Sequence, residues 1–218
     1  MLDTRFPRIV GDIGNPASFP FPVIHERLTG IGPSDAVSAT PDRGRIAAAL
    51  ADNARRLAAR GAVGIATSCG FLALLQSELA AVSPVPVATS ALLLAPLIAR
   101  TLPAGRRVGV LTAHAASLTR AHLTAVGAAG DTPVEGMPAD GAFARAFLAN
   151  GTDLDRDAVE REAVATAMAL AARRPDVGAI VLECTNLPPY APAIRAATGL
   201  PVHDVVDLLT AFRAGLPD

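Results

Sequence analysis

The chain holds two cysteines, Cys69 and Cys184, in matching surroundings. Each closes an apolar run, residues 62–67 before the first and 178–183 before the second. Each run follows a helical pattern with arginines near its end. Pro-Val recurs 17 residues after each cysteine, as Pro86-Val87 and Pro201-Val202. A thiol can serve as general base or acid, as a nucleophile, or with a second thiol as a redox pair. A lone buried cysteine is also an ordinary small hydrophobe. The shared address, more than the residue type, points to chemistry.

Other chemistries are excluded by composition. All 19 basic residues are arginine. The missing lysine rules out a lysine Schiff base to pyridoxal phosphate, a lysine base and the lysine of a phosphate-binding P-loop. Two cysteines are too few for a disulfide scaffold or a four-thiolate zinc site. A net charge of -1 with scattered arginines argues against nucleic acid as partner. The arginine bias reads as a drift of composition. Residues 1–9 carry Asp3, Arg5 and Arg8 and no apolar signal core. The greasiest run, 85–99, is broken by Pro86 and Pro96 and falls short of the roughly 20 apolar residues a membrane helix needs. No membrane partner is expected, and the cytoplasm, where both thiols stay reduced, is the default location.

Apolar periodicity places these residues on elements. Strands are expected at 8–13, 62–67, 85–88, 107–112, 134–137, 178–183 and 202–205. Helices are expected at 44–60, from Phe71 through Leu79, at 92–100, 115–125, 155–174 and 190–197, with a last one ending at Ala214. Residues 15–42, rich in Pro, Gly, Ser and Thr, read as a long loop, and 138–153 as irregular. Strands alternating with helices specify an α/β fold with mainly parallel sheets. The recurrence around the cysteines suggests duplicated α/β units. One domain would be 1–98 plus 205–218, the other 99–204.

In such sheets ligands bind beyond the carboxyl ends of the strands, where helix N-termini point. Two units facing each other about a pseudo-twofold axis would put the thiols on opposite sides of one cleft. A thiol opening a helix should have its pKa lowered below about 8.5, and the same donors suit a substrate carboxylate.

Three motifs carry a family likeness: Gly11-Asp12-Ile13-Gly14-Asn15, Thr67-Ser68-Cys69-Gly70-Phe71, and Glu183-Cys184-Thr185-Asn186-Leu187-Pro188. With the order and spacing of the strands, they resemble the aspartate/glutamate/hydantoin racemase superfamily over nearly the whole chain. The resemblance implies two pseudo-symmetric α/β domains with an active-site cleft between them, no cofactor and no metal. It implies a small carboxylate or amino-acid substrate, and a homodimer is compatible with it. The implied reaction is two-base proton transfer at Cα, one of Cys69 and Cys184 taking a proton as thiolate and the other donating one. Asp12 matches an acidic residue of amino-acid racemases and would pair with a substrate ammonium or orient Cys69; capping a turn explains it equally. Asn15, Ser68, Gly70, Thr112, Thr185 and Asn186 are substrate-binding candidates, with turn-setting and helix capping as the alternatives.

The sequence also departs from the pattern. Glutamate racemases commonly have Cys-Thr-His at the second cysteine, Asp-Ser after the first strand and Cys-Asn-Thr at the first cysteine. Here Asn186, Ile13 and Gly70-Phe71 stand there. That argues against ordinary glutamate racemisation. Maleate isomerases and arylmalonate decarboxylases look like relatives and offer isomerisation or decarboxylation on the same fold. A non-catalytic acid-binding protein or a Cys69/Cys184 redox switch is the reading from another class. His114, His122 and His203 lack metal-ligand spacing and read as surface or turn residues.

Overall fold

A computed structural model of the chain describes residues 1–217. The apolar runs pair as parallel strands in two sheets. Strands β1 (Ile65–Ala66) and β2 (Val87–Ala88) form the first. Strands β3 (Arg107–Thr112), β4 (Val134–Gly136), β5 (Val177–Leu182) and β6 (Val202–His203) form the second, in the order β4-β3-β5-β6. Parallel neighbours require crossover connections. The helices are α1 (Pro33–Ala36), α2 (Arg43–Ala59), α3 (Gln76–Val82), α4 (Ala95–Thr101), α5 (Arg120–Ala125), α6 (Arg156–Arg173), α7 (Ala191–Thr198) and α8 (Val205–Ala214), and α3, α5, α6 and α7 lie on the crossovers within the sheets. The expected α/β class with parallel sheets is what the chain adopts. Val110, Leu111 and Ala179 through Leu182 are fully buried, as befits central strands covered on both faces.

The long helices start where side chains satisfy their free N–H groups. Asp42 accepts from the Arg45 amide at 3.0 Å, and Asp155 from the Ala158 amide at 3.0 Å. Among the described residues no helix is long and apolar enough to cross a membrane.

The internal repeat is visible bond by bond. Ile65 registers with Val87 and Ile180 with Val202, the same sequence offset in both pairs. The Ile65 amide donates to the Pro86 carbonyl at 2.9 Å, and the Ile180 amide to that of Pro201 at 2.8 Å. Beyond each strand, Leu72 donates to the Cys69 carbonyl and Leu187 to that of Cys184, both at 3.1 Å.

Several expected elements differ. Residues 8–13 form turns, not a strand: Asp12 donates to the Ile9 carbonyl and Asn15 to that of Asp12, so no neighbouring strand receives these groups. The strands expected at 62–67 and 85–88 shrink to two residues each. The helix expected at 115–125 splits into a 3-10 turn, Ala115–Ser117, and α5. Both segments after the cysteines begin as 3-10 turns, Gly70–Leu75 and Pro188–Tyr190, before α3 and α7. In the second, Pro188 and Pro189 occupy the first turn, where their missing N–H groups cost nothing. Residues 144–148, inside the expected irregular stretch, form a π-helical turn. The 15–42 loop is held by a bridge between Leu2 and Leu28.

Candidate active site

Cys69 and Cys184 lie past the ends of β1 and β5, the central positions of the two repeats. Both are free, both are buried, and both line one internal cavity. The cavity is small, about 30 Å³, room for one or two waters. Ser68, Thr185 and Asn186 share it with the thiols. Phe6, Phe71, Phe143 and Phe147 make its apolar wall. Phe147 meets Phe6 edge-on at 4.9 Å between centroids and Phe143 at 4.8 Å.

Burial overrides the helix-terminus effect expected from the sequence. The Cys69 thiol is pushed up to about 12, first by desolvation and then by the neighbouring Glu183 charge. The backbone N–H groups of Phe71 and Leu72 pull in the other direction without prevailing. Cys184 is raised well above the ordinary thiol value for the same two leading reasons. Short 3-10 turns carry little dipole, so the expected lowering does not occur.

Asp12 is buried at the bottom of the 8–15 turns and its carboxylate is fully engaged. Oδ1 accepts from Arg8 Nη1 at 2.8 Å and from the Gly14 amide at 2.7 Å, while Oδ2 accepts from Asn186 Nδ2 at 2.6 Å. Cys184 Sγ donates to the other end of that amide, Asn186 Oδ1, at 3.6 Å. Asp12 is thus linked to Cys184 through Asn186 and does not itself line the cavity. Gly11 permits this approach. It has φ +98°, and a Cβ there would come within 2.9 Å of the Pro189 Cα.

Glu183 is the group that sequence reasoning missed. It is fully buried, and burial raises its carboxyl to about 7. Thr112 Oγ1 donates to Oε2 at 2.6 Å, with the Ala113 amide as a further donor. Oε1 has no partner. It abuts Gly70, where a Cβ would collide with both Oε1 and the Glu183 carbonyl oxygen. The only sequence signal was its type, an acid at the end of an apolar strand.

The remaining candidates are placed as follows. Gly70 lines the cavity and makes room for Glu183. Ser68 Oγ accepts from the Leu2 amide at 3.0 Å. Thr185 Oγ1 donates to the Ser68 carbonyl at 2.9 Å, tying the two cysteine segments together. Thr112 does not line the cavity; its hydroxyl proton is used on Glu183. Asn15 also lies outside it, donating to the Arg8 carbonyl and accepting from the Ala17 amide. His122 is buried against Phe71, accepts from the Thr119 amide, and is held neutral by burial, its pKa lowered to about 4. His114 bonds Ser117, and His203 lies 3.9 Å from Asp207.

The sequence pattern of the Asp/Glu/Hydantoin racemase family matches residues 25–212. The chain belongs to that family. Among curated relatives it is similar to dimethylsulfoniopropionate lyase 5 of Emiliania huxleyi, 34% identical over 95% of this chain and 43% of the relative. It is also similar to a dimethylsulfoniopropionate lyase of Durusdinium sp. clade D, 29% identical over 100% of this chain and 73% of the relative. The chain thus spans less than half of the first and about three-quarters of the second. Two solved structures share its fold. Arylmalonate decarboxylase does so with TM-score 0.60 at 20% identity, over 96% of this chain and 90% of that one. Glutamate racemase from Francisella tularensis does so with TM-score 0.52 at 14% identity, over 81% and 65%.

Proposed function

We propose that the chain is a lyase acting on a small carboxylate. It takes a proton from the α-carbon and expels a neutral group from the β-carbon, with dimethylsulfoniopropionate the first substrate to test. The observation that carries this reading is the lining of the cavity. Its only charged side chain among the described residues is Glu183, and four phenylalanines share it with the thiols. An amino-acid ammonium calls for an ionised carboxylate partner; Asp12 does not line the cavity, and the carboxyl that does, Glu183, is raised to about 7 by burial. A sulfonium has a fixed charge and no N–H. Aromatic faces hold such a cation without an acceptor.

In this reaction a thiolate of the Cys69/Cys184 pair takes the Cα proton. The C–H electron pair becomes the Cα=Cβ bond, and the Cβ–S bond breaks with its pair going to sulfur. Acrylate and neutral dimethyl sulfide result. The Ser68 hydroxyl, which accepts from Leu2 and keeps its own proton, can donate to the substrate carboxylate. The cavity is smaller than any such substrate, so entry requires the aromatic wall to move. Phe147 sits on the π-helical turn, a backbone form frequent at functional sites.

The two thiols are unequal, which also favours elimination. The Cys184 proton is directed at Asn186 Oδ1 and its sulfur receives one backbone N–H, that of Asn186, whereas the Cys69 sulfur receives two. A reversible racemase needs its two thiols to exchange roles; an elimination needs one base. The names of the curated relatives support the same choice. We assign 1–98 with 205–218 to one lobe and 99–204 to the other, a division that follows the two sheets, and two free thiols suit a reducing compartment such as the cytoplasm.

Headspace measurement of dimethyl sulfide and proton NMR of acrylate test the reading. Both products should appear in equal amounts. A second reading, racemisation, is favoured by the equivalent positions of the two cysteines in the repeat. Its signature is α-deuterium in an amino acid incubated in heavy water, with no dimethyl sulfide from the sulfonium substrate.

A further inference from the structure

We infer that Glu183 is the proton acceptor that generates the active thiolate, and that the proton released by the reaction leaves through it. The inference rests on the reading above that a thiolate of the pair is the base. It begins from a problem that reading creates: both thiols are buried, and nothing in the Asp12–Asn186 arrangement can take a proton from them. Asn186 presents an amide oxygen, which accepts a hydrogen bond and does not ionise near neutrality.

Glu183 is placed to solve it. Its Oε1 is buried without a partner and borders the cavity the two thiols share. That oxygen presses on Gly70, the residue next to Cys69, while Glu183 itself precedes Cys184. An orphaned buried carboxylate oxygen is costly, and a proton received from a neighbouring thiol removes the cost. Thr112 clamps the other oxygen, so Oε1 is the end left to react. The charge of Glu183 is felt by both sulfurs, second only to burial itself. Among the described residues Glu183 forms no ion pair. The titratable groups facing it are Cys69 and Cys184, and the Thr112 hydroxyl and Ala113 amide are its fixed dipoles. Burial brings this carboxyl to about 7, within reach of neutral operation.

The step balances. The S–H bond breaks with its electron pair left on sulfur, and the proton forms an O–H bond on Oε1. Charge moves from oxygen to sulfur with no net change. After the thiolate takes the Cα proton, the site holds a thiol and a protonated Glu183, whose proton passes to solvent and resets the pair. Because the thiolate and carboxylate forms carry the same number of protons, the thiol reactivity follows the titration of the pair and not that of an isolated thiol.

The test reads the thiolate directly, without substrate. The rate of alkylation by iodoacetamide is measured against pH in the wild type and in Glu183→Gln, with Cys69→Ser and Cys184→Ser assigning the sulfur. In Glu183→Gln the rising limb should move alkaline by roughly one pH unit or more. A limb that stays in place, or moves acidic as it would if Glu183 only repelled the thiolate, overturns the inference. Thr112→Val gives a second arm should Glu183→Gln not fold. Loss of that donor makes Glu183 a stronger base and should also move the limb alkaline, and an unmoved limb there is equally contrary. Alkylation requires no turnover, so failure of the elimination assay and failure of the relay remain distinguishable.

Discussion

The side-chain amide of Asn186 donates to Asp12 at 2.6 Å, joining positions 174 residues apart in sequence. A carboxylate only accepts, so this bond fixes which end of the amide is which. The oxygen end is therefore the one that meets the Cys184 thiol. Arg8, bonded to the same carboxylate and to Thr4 Oγ1 and stacked 4.3 Å over Phe6, locks Asp12 in turn. A histidine in place of Asn186 could exchange a proton with the thiol. An asparagine can only orient it, which makes the two halves of the site chemically different.

Asp12→Asn replaces one acceptor oxygen by a donor and leaves Arg8 largely buried without its counter-charge. Stability should fall by about 3–5 kcal/mol, the usual cost of breaking a buried ion pair from one side. Urea unfolding measures this. Asn186→Ala should keep most of that stability but lower kcat more than it raises KM, because it releases the Cys184 proton.

Gly70→Ala places a methyl group against the Glu183 carbonyl and Oε1. Backbone atoms cannot yield as side-chain tips do. A loss of about 1–3 kcal/mol is expected from overpacking, together with loss of activity as Glu183 is displaced. Wild-type stability in chemical denaturation would contradict the close approach.

Glu183 and His122 give opposite pH dependences of stability. The raised Glu183 pKa contributes stability that is complete below about 4.5 and disappears as pH rises through about 7. The lowered His122 pKa contributes stability that is complete above 6.5 and disappears as pH falls toward 4. Each is on the order of 3 kcal/mol, so between pH 4.5 and 6.5 they offset. Glu183→Gln removes one of the two, and its melting temperature should climb with pH across that window while the wild type stays flatter. Parallel profiles would refute the burial of one or other group.

Phe6→Leu trims the aromatic wall without emptying it. KM for a sulfonium substrate should rise several-fold, matching a cation–π contact of about 0.5–2 kcal/mol, while binding of the uncharged thioether analogue should hardly change. Equal losses for both ligands would assign the wall to shape alone.

The repeat around Cys69 and Cys184 was legible because it is local. A strand, its terminal thiol and the next Pro-Val each leave a mark on neighbouring residues, and the paired bonds of Ile65 to Pro86 and Ile180 to Pro201 realise it. The long helices are legible from their periodicity. Residues 8–13 misled because Ile9 and Ile13 mimic a strand pattern, yet a strand exists only where a neighbour pairs with it. Thiol ionisation was misjudged for a related reason: position in sequence reveals a helix terminus, but the depth of burial that outweighs it is a property of the whole fold. Glu183 was hidden likewise. Nothing along the chain announces that its carboxyl lies beneath Gly70 and beside both sulfurs.

The central claim is that the Cys69/Cys184 pair transfers the α-proton. Wild type, Cys69→Ser and Cys184→Ser are each incubated with dimethylsulfoniopropionate, and acrylate is followed by proton NMR. The wild type should release acrylate, and the serine variant of whichever thiol is the base should be slower by roughly 10²–10⁴-fold, the span of a positioned acid or base, with the other variant less affected. Undiminished acrylate formation by both variants, or none by the wild type, would contradict the account.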